Sequence, residues 1–199
     1  MIEIPSDLHP DLVPLAFLLG TWEGAGVHDF PGAEKCNFGQ EVVFSHDGRD
    51  FLEYVSRSWV LDAAGKPVKP LETETGYWRI DRNRKVEIVM IRDTGVVEVW
   101  YGELADQKPQ IDIATDAVAR TAASGPYSGG KRLYGYVKGD LMWVGEKATP
   151  EVPLRPYMSA QLKKVPADLQ DWARNLPDDL PDGVSFFNPD GTPYKPEEK

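Results

Sequence analysis

Apolar and polar residues alternate with a period of two along most of this chain, and short turn-forming clusters interrupt the alternation at regular intervals. Gln40-Glu41-Val42-Val43-Phe44-Ser45 runs into His46-Asp47-Gly48-Arg49. The next run, Phe51 to Val60, sets Phe51, Val55 and Trp59 on one side and Leu52, Tyr54 and Val60 on the other. It breaks at Asp62-Ala63-Ala64-Gly65-Lys66-Pro67. Thr73–Ile80 and Lys85–Arg92 flank Asp81-Arg82-Asn83-Arg84, and Val96–Leu104 and Gln110–Thr115 flank another short turn. Lys131–Val137, Leu141–Glu146 and Met158–Val165 continue the series. About ten strands joined by short loops, without helical crossovers, predict an all-β antiparallel meander. Closing it into an up-and-down barrel removes the exposed edges. At eight strands or more such a barrel has room for one small ligand. A two-sheet sandwich is the competing architecture.

Two segments depart from this texture. Asp11-Leu12-Val13-Pro14-Leu15-Ala16-Phe17-Leu18-Leu19 is short and almost wholly apolar, and it ends at Gly20. That composition predicts a short helix buried as an N-terminal plug under the sheet, not an exposed amphipathic helix. After Val165 the chain turns proline-rich and acidic, so residues 8–165 are expected to form the barrel and 166–199 a C-terminal extension. Within the extension, Asp168–Leu176 has the spacing of a short helix, and Trp172, Phe186 and Phe187 predict docking on an apolar surface.

Composition narrows the function classes. Apolar residues make up 41% of 199, enough for a packed core. The 22 basic and 32 acidic side chains leave a formal charge of −10, which repels a phosphate backbone and an anionic membrane alike. Cys36 is the one cysteine, so neither an internal disulfide nor a thiolate zinc cluster can form. No run of 18 apolar residues occurs, and Met1-Ile2-Glu3-Ile4-Pro5 lacks the charged-then-apolar order of a signal segment. The expectation is a soluble cytoplasmic protein. His9, His28 and His46 stand in no metal-ligand spacing, and no serine elbow, phosphate loop or dinucleotide fingerprint is present. Glu72 and Glu74 read as a solvated face of a strand. Cys36 has only Lys35 beside it to activate a thiol.

The informative stretch is Gly20-Thr21-Trp22-Glu23-Gly24-Ala25-Gly26, where the buried helix turns into the first strand. Glycines there let the backbone pass close to its neighbours, and Trp22 is placed to cap the closed end of a barrel. This stretch resembles the Gly-x-Trp-x-Gly-x-Gly signature of the nitrobindins, haem-binding barrels similar to lipocalins and fatty-acid-binding proteins. The resemblance extends through His9-Pro10, Glu74-Thr75-Gly76-Tyr77-Trp78-Arg79, Thr94–Val99, Arg132-Leu133-Tyr134-Gly135, Gly139-Asp140-Leu141 with Trp143, and Pro153–Ala160. It implies the barrel fold, haem b as a cofactor, peroxynitrite isomerisation and a homodimer. In that family one histidine of the last strand holds the iron; Tyr157 stands at its place here. A family pocket threonine falls on Gly32, and the basic residue near the ninth strand falls on Lys131.

Tyrosinate can ligate ferric haem, but ionising an ordinary phenol at pH 7 costs about 4 kcal/mol. Arg155, two residues before Tyr157, would share its face of an extended strand. Leu154, Met158, Ala160 and Leu162 alternate out of phase with Tyr157, whereas the resemblance turns Tyr157 toward the pocket. The leading expectation is a non-enzymatic barrel that binds a small apolar or planar ligand without tight haem-iron ligation. The alternatives are a haem protein with Tyr157 as axial ligand acting on nitrogen oxides or peroxynitrite, and an interaction module with a sealed barrel.

Overall fold

A computed structural model describes residues 4–166 of the chain. The expectations for Asp168–Leu176, Trp172, Phe186 and Phe187 lie outside the described residues.

The plug forms as a 3-10 helix over Pro10–Leu18, with His9 as its cap: His9 Nδ1 accepts a hydrogen bond from the Asp11 amide at 3.3 Å. Pro10 and Pro14 remove backbone donors, which favours a short, tight helix over a long α-helix. With three residues per turn, Leu12, Leu15 and Leu18 stack on one face. All three are fully buried. The Trp22 indole N–H donates to the Leu18 carbonyl at 2.6 Å, pinning the end of the helix to the first strand.

Ten strands follow: β1 (Gly20–His28), β2 (Cys36–Ser45), β3 (Leu52–Leu61), β4 (Pro67–Ile80), β5 (Lys85–Arg92), β6 (Val96–Leu104), β7 (Gln110–Arg120), β8 (Gly129–Val137), β9 (Asp140–Ala148) and β10 (Arg155–Lys164). Each pairs antiparallel with its neighbour in sequence, and β1 pairs with β10 to close the barrel. The sandwich alternative is thereby excluded. The turns are those the composition predicts, with Asp62 and Asp81 side chains each accepting two backbone amides within their own hairpins.

Alternation sorts the side chains. In β5, Val86, Ile88, Met90 and Arg92 are buried while the residues between them face water. The plug covers the end where β1 begins. There Trp22, Phe44, Leu52, Trp78, Ile88, Leu141 and Leu162 make an apolar floor, with Trp78 meeting Phe44 and Tyr134 edge-on at 5.3 Å each. The opposite end, where β1 and β3 finish and β2, β4 and β10 start, is the mouth.

Gly24 and Gly26 have a steric task in this closure. A Cβ on Gly24 would sit 2.1 Å from the Gln161 carbonyl oxygen, and one on Gly26 would sit 2.1 Å from that of Ser159. Those oxygens belong to the backbone of β10, so nothing can swing aside. Gly24→Ala is expected to lower unfolding free energy by about 3 kcal/mol. Urea unfolding followed by tryptophan fluorescence checks this, and an unchanged midpoint would refute the packing account.

Candidate functional site

Between floor and mouth the interior becomes polar. Arg132 of β8 lies between the rings of Trp100 and Trp143, its guanidinium carbon 5.4 Å from each ring centre. It grips the Glu74 carboxylate of β4 with both terminal nitrogens, the longer contact being 2.7 Å. Tyr54 donates to Glu74 at 3.0 Å, and the Tyr134 and Tyr157 phenol oxygens accept from Arg132 at 3.2 and 3.4 Å. Arg92 of β5 forms a second centre. It donates to Glu98 at 2.7 Å and to Glu72 at 2.8 Å, and lies 3.5 Å from Glu74; Tyr127 donates to Glu98. A third polar chain runs from Trp143 to Gln40 at 2.8 Å and from Gln40 to Ser56 at 2.9 Å.

Glu72 and Glu74 thus form no solvated face. Glu74 is 4% exposed, and its partners come from β3, β5 and β8. Burial alone would raise the Glu74 carboxyl. The charges of Arg132 and Arg92, with hydrogen bonds from Arg132 and Tyr54, outweigh that and hold it down to about 2. The network fills its storey. The void left among Gln40, Ser58, Glu72, Glu74, Arg132 and Trp143 measures about 10 Å³, no more than one water needs.

Tyr157 faces this interior and is 5% exposed. The pairing of β10 with β9 shifts between Pro156, opposite Glu146, and Met158, opposite Gly145. Tyr157 is the extra residue of that bulge, so it and Met158 are buried in succession. The bulge reconciles the pattern of Met158, Ala160 and Leu162 with an inward Tyr157. It also separates Tyr157 from Arg155, which is exposed. Lys131 is exposed on β8, and Gly32 sits in the β1–β2 loop at φ +82° with open space around it. Gly20, Trp22, Gly24 and Gly26 serve closure and the floor. The cations beside Tyr157 are Arg132, on the phenol oxygen, and Lys147, whose ammonium lies over the Tyr157 ring at 5.8 Å and over Phe30 at 4.7 Å. Burial raises the Tyr157 phenol above its ordinary value despite Arg132 and Arg92 nearby.

The roomy space is at the mouth. A cavity of about 430 Å³ opens among the end of β1, the start of β2, the end of β3 and the start of β4. His28, Cys36, Val60, Leu71, Lys35 and Lys69 are among its lining residues. His28 and Cys36 stand directly opposite each other in the β1–β2 pairing. The His28 ring meets Tyr157 edge-on at 6.2 Å. Its Nδ1 is buried without a hydrogen-bond partner. Burial, and then the nearby Glu34 charge, raise the Cys36 thiol.

A closed ten-strand barrel with a plugged floor, a filled middle and an open mouth defines a ligand-binding β-barrel. Residues 11–164 match the THAP4-like, heme-binding beta-barrel domain, and the chain belongs to this nitrobindin family. It is 82% identical over 189 residues to a ferric nitrobindin-like protein of Streptomyces griseus, covering 94% of this chain and 100% of that one. It is 46% identical over 160 residues to a peroxynitrite isomerase of a Nocardioides species, covering 80% and 96%. The crystal structure of Rv2717c from M. tuberculosis superposes with a TM-score of 0.72 at 28% identity, covering 80% of this chain and 99% of that one.

The buried network is expected to govern acid stability. A depressed folded-state carboxyl contributes stability above its unfolded value, near 4.5, that is lost as pH falls toward about 2. Glu74→Gln would leave Arg132 half-paired and lower stability by about 3–5 kcal/mol at neutral pH. The loss relative to the parent should shrink between pH 4.5 and 2 in denaturant melts across that range. A constant difference would remove Glu74 as the titrating group.

Proposed function

We propose that this chain is a non-enzymatic carrier or sensor of a small planar, largely apolar ligand, seated in the mouth cavity and not in the barrel's middle. The observation that carries the reading is the contrast between about 430 Å³ at the mouth and about 10 Å³ within the network. The larger volume lies in the range of small-molecule sites. Val60, Leu61 and Leu71 supply apolar wall, while Lys69 and Lys35, the latter ion-paired with Asp29 at 2.9 Å, line it beside Glu34 and Asp62. The lone cysteine and acidic surface suit a reducing, cytoplasmic setting.

The family's haem can be weighed at Tyr157, the position the resemblance assigns to its ligand. Around Tyr157 the residues do not fit it: the phenol accepts from a buried guanidinium, and burial disfavours its ionisation. In this reading Tyr157 is a member of the polar network and not an iron ligand. The name peroxynitrite isomerase belongs to the Nocardioides relative, and we carry over from it the seat for a ligand, not the reaction.

Metal-free protoporphyrin IX tests the seat without involving iron. Titration should quench tryptophan fluorescence saturably. Val60→Trp, which fills the cavity wall, should weaken binding at least ~10-fold while the far-ultraviolet circular dichroism stays that of the parent. Absence of saturable binding by the parent, or equal binding by the variant, would reject the mouth as the seat.

A further inference from the structure

We propose that a split between β7 and β8 is a lateral entrance to the barrel's middle, with the Tyr127 side chain as its gate. Water and solutes near its size reach the Arg132–Glu74 network by this route, independently of the mouth cavity.

The strand register contains the split. β7 pairs with β8 only from Gln110, opposite Gly135, to Ala114, opposite Lys131. Beyond Ala114 the two strands part: residues 115–120 ladder with β6 alone, and Gly129 and Gly130 ladder with β9 alone. A bulge at Asp116, between the Trp100–Thr115 and Val99–Ala117 pairs, bends β7 where its ladder with β8 stops. At the first step of the gap a side chain stands in for the backbone, with Thr115 Oγ1 accepting from the Gly130 amide at 2.9 Å.

Tyr127 fills what the backbone leaves open. In the loop from β7 to β8, residues 121–123, 125, 126 and 128 are exposed and Ser124 is half-buried, yet Tyr127 is 7% exposed. Its phenol donates to the fully buried Glu98 of β6, and its ring centre lies 5.1 Å from the Arg92 guanidinium carbon. Burial raises the phenol above its ordinary value, so it stays a donor. A Cβ on Gly130 would fall 3.0 Å from the Tyr127 oxygen and 3.3 Å from the Trp100 ring, so phenol and indole lie side by side behind the split.

Two donors in this interior have no partner. The Trp100 indole N–H and Arg132 Nε are both buried without a hydrogen bond, and Arg132 also lines the void of about 10 Å³. Unmet donors beside a void of that size are what an entering water would find. The closure hangs on one side chain. Among the described residues the loop is tied to other strands by the Thr121 amide on the Gly95 carbonyl, the Ser128 amide on the Ala148 carbonyl and the Tyr127 phenol. Its other hydrogen bonds are internal or come from Arg120. A segment held this sparsely opens at lower free energy than the barrel unfolds.

Native-state hydrogen exchange of the indole N–H groups, followed by nitrogen-15 NMR at rising sub-denaturing urea, tests the gate. In the parent, the Trp100 indole should exchange through an opening that urea does not promote. The Trp22 indole, bonded to Leu18 at the floor, should instead follow global unfolding. Tyr127→Phe, which removes only the hydrogen bond to Glu98, should speed Trp100 exchange at least ~5-fold, and Tyr127→Ala at least ~10-fold, with Trp22 changing less. Val60→Trp should leave the Trp100 rate at the parent value. A Trp100 rate with the urea dependence of Trp22 would overturn the proposal. So would Tyr127 variants that shift both indoles equally, because that is global loss of stability. Slowing of Trp100 exchange by Val60→Trp would move the route to the mouth and overturn it as well.

Discussion

The pair between Arg132 and Glu74 sets the terms for the rest of this barrel. Two charges taken from water cost more than their attraction returns unless every remaining donor and acceptor finds a partner. Here Glu74 accepts from Arg132 and Tyr54, and Arg132 reaches the Tyr134 and Tyr157 phenols while two indole rings enclose its faces, which leaves Nε as the one guanidinium nitrogen without a partner. Partners drawn from β3, β4, β8 and β10 must converge on one point, so the pair constrains the register of strands far apart in sequence. Arg92 repeats the device with Glu72, Glu98 and Tyr127. A middle built this way is specific and full, and it separates the apolar floor from the open mouth.

Much of the architecture is legible from residues alone because its determinants are local. The alternation of Lys85–Arg92, the Asp81 and Asp62 turns, and the three-residue spacing of Leu12, Leu15 and Leu18 each act within one element. The site is less legible because its determinants are not local. Glu72 and Glu74 look solvated in a strand of mixed character; their burial depends on arginines 20 and 58 residues away, brought opposite them only by the closed sheet. Tyr157 points inward through a one-residue bulge at Pro156, a register shift that simple alternation does not encode. Arg155, counted as sharing its face, consequently lies in water, and the cation on the phenol is Arg132. His28 and Cys36 have no ligand spacing along the chain, because their proximity comes from opposing positions in the β1–β2 hairpin.

The glycine signature and the mouth are two consequences of one closure. Gly24 and Gly26 let β1 press against the carbonyls of β10, which fixes His28 opposite Met158. A side chain at either glycine would force the strands apart at the seam and move the rim with them. A motif that reads as geometry is therefore coupled to the rim of the mouth without itself touching what the mouth holds.

Filling the middle also changes what a ligand at the mouth would experience. A cavity continuous with a hollow barrel would let a planar molecule slide inward. A middle occupied by Gln40, Ser58 and paired Glu72 instead presents hydrogen-bonded groups already satisfied by protein, which offer a ligand little. Affinity must then come from the walls, from Val60, Leu61 and Leu71, and from the few rim groups with a free lone pair or charge. His28 lines the same space, and its buried Nδ1 has no hydrogen-bond partner. The more of the interior's polar groups pair with one another, the more the burden of recognition falls on the walls and rim of the mouth.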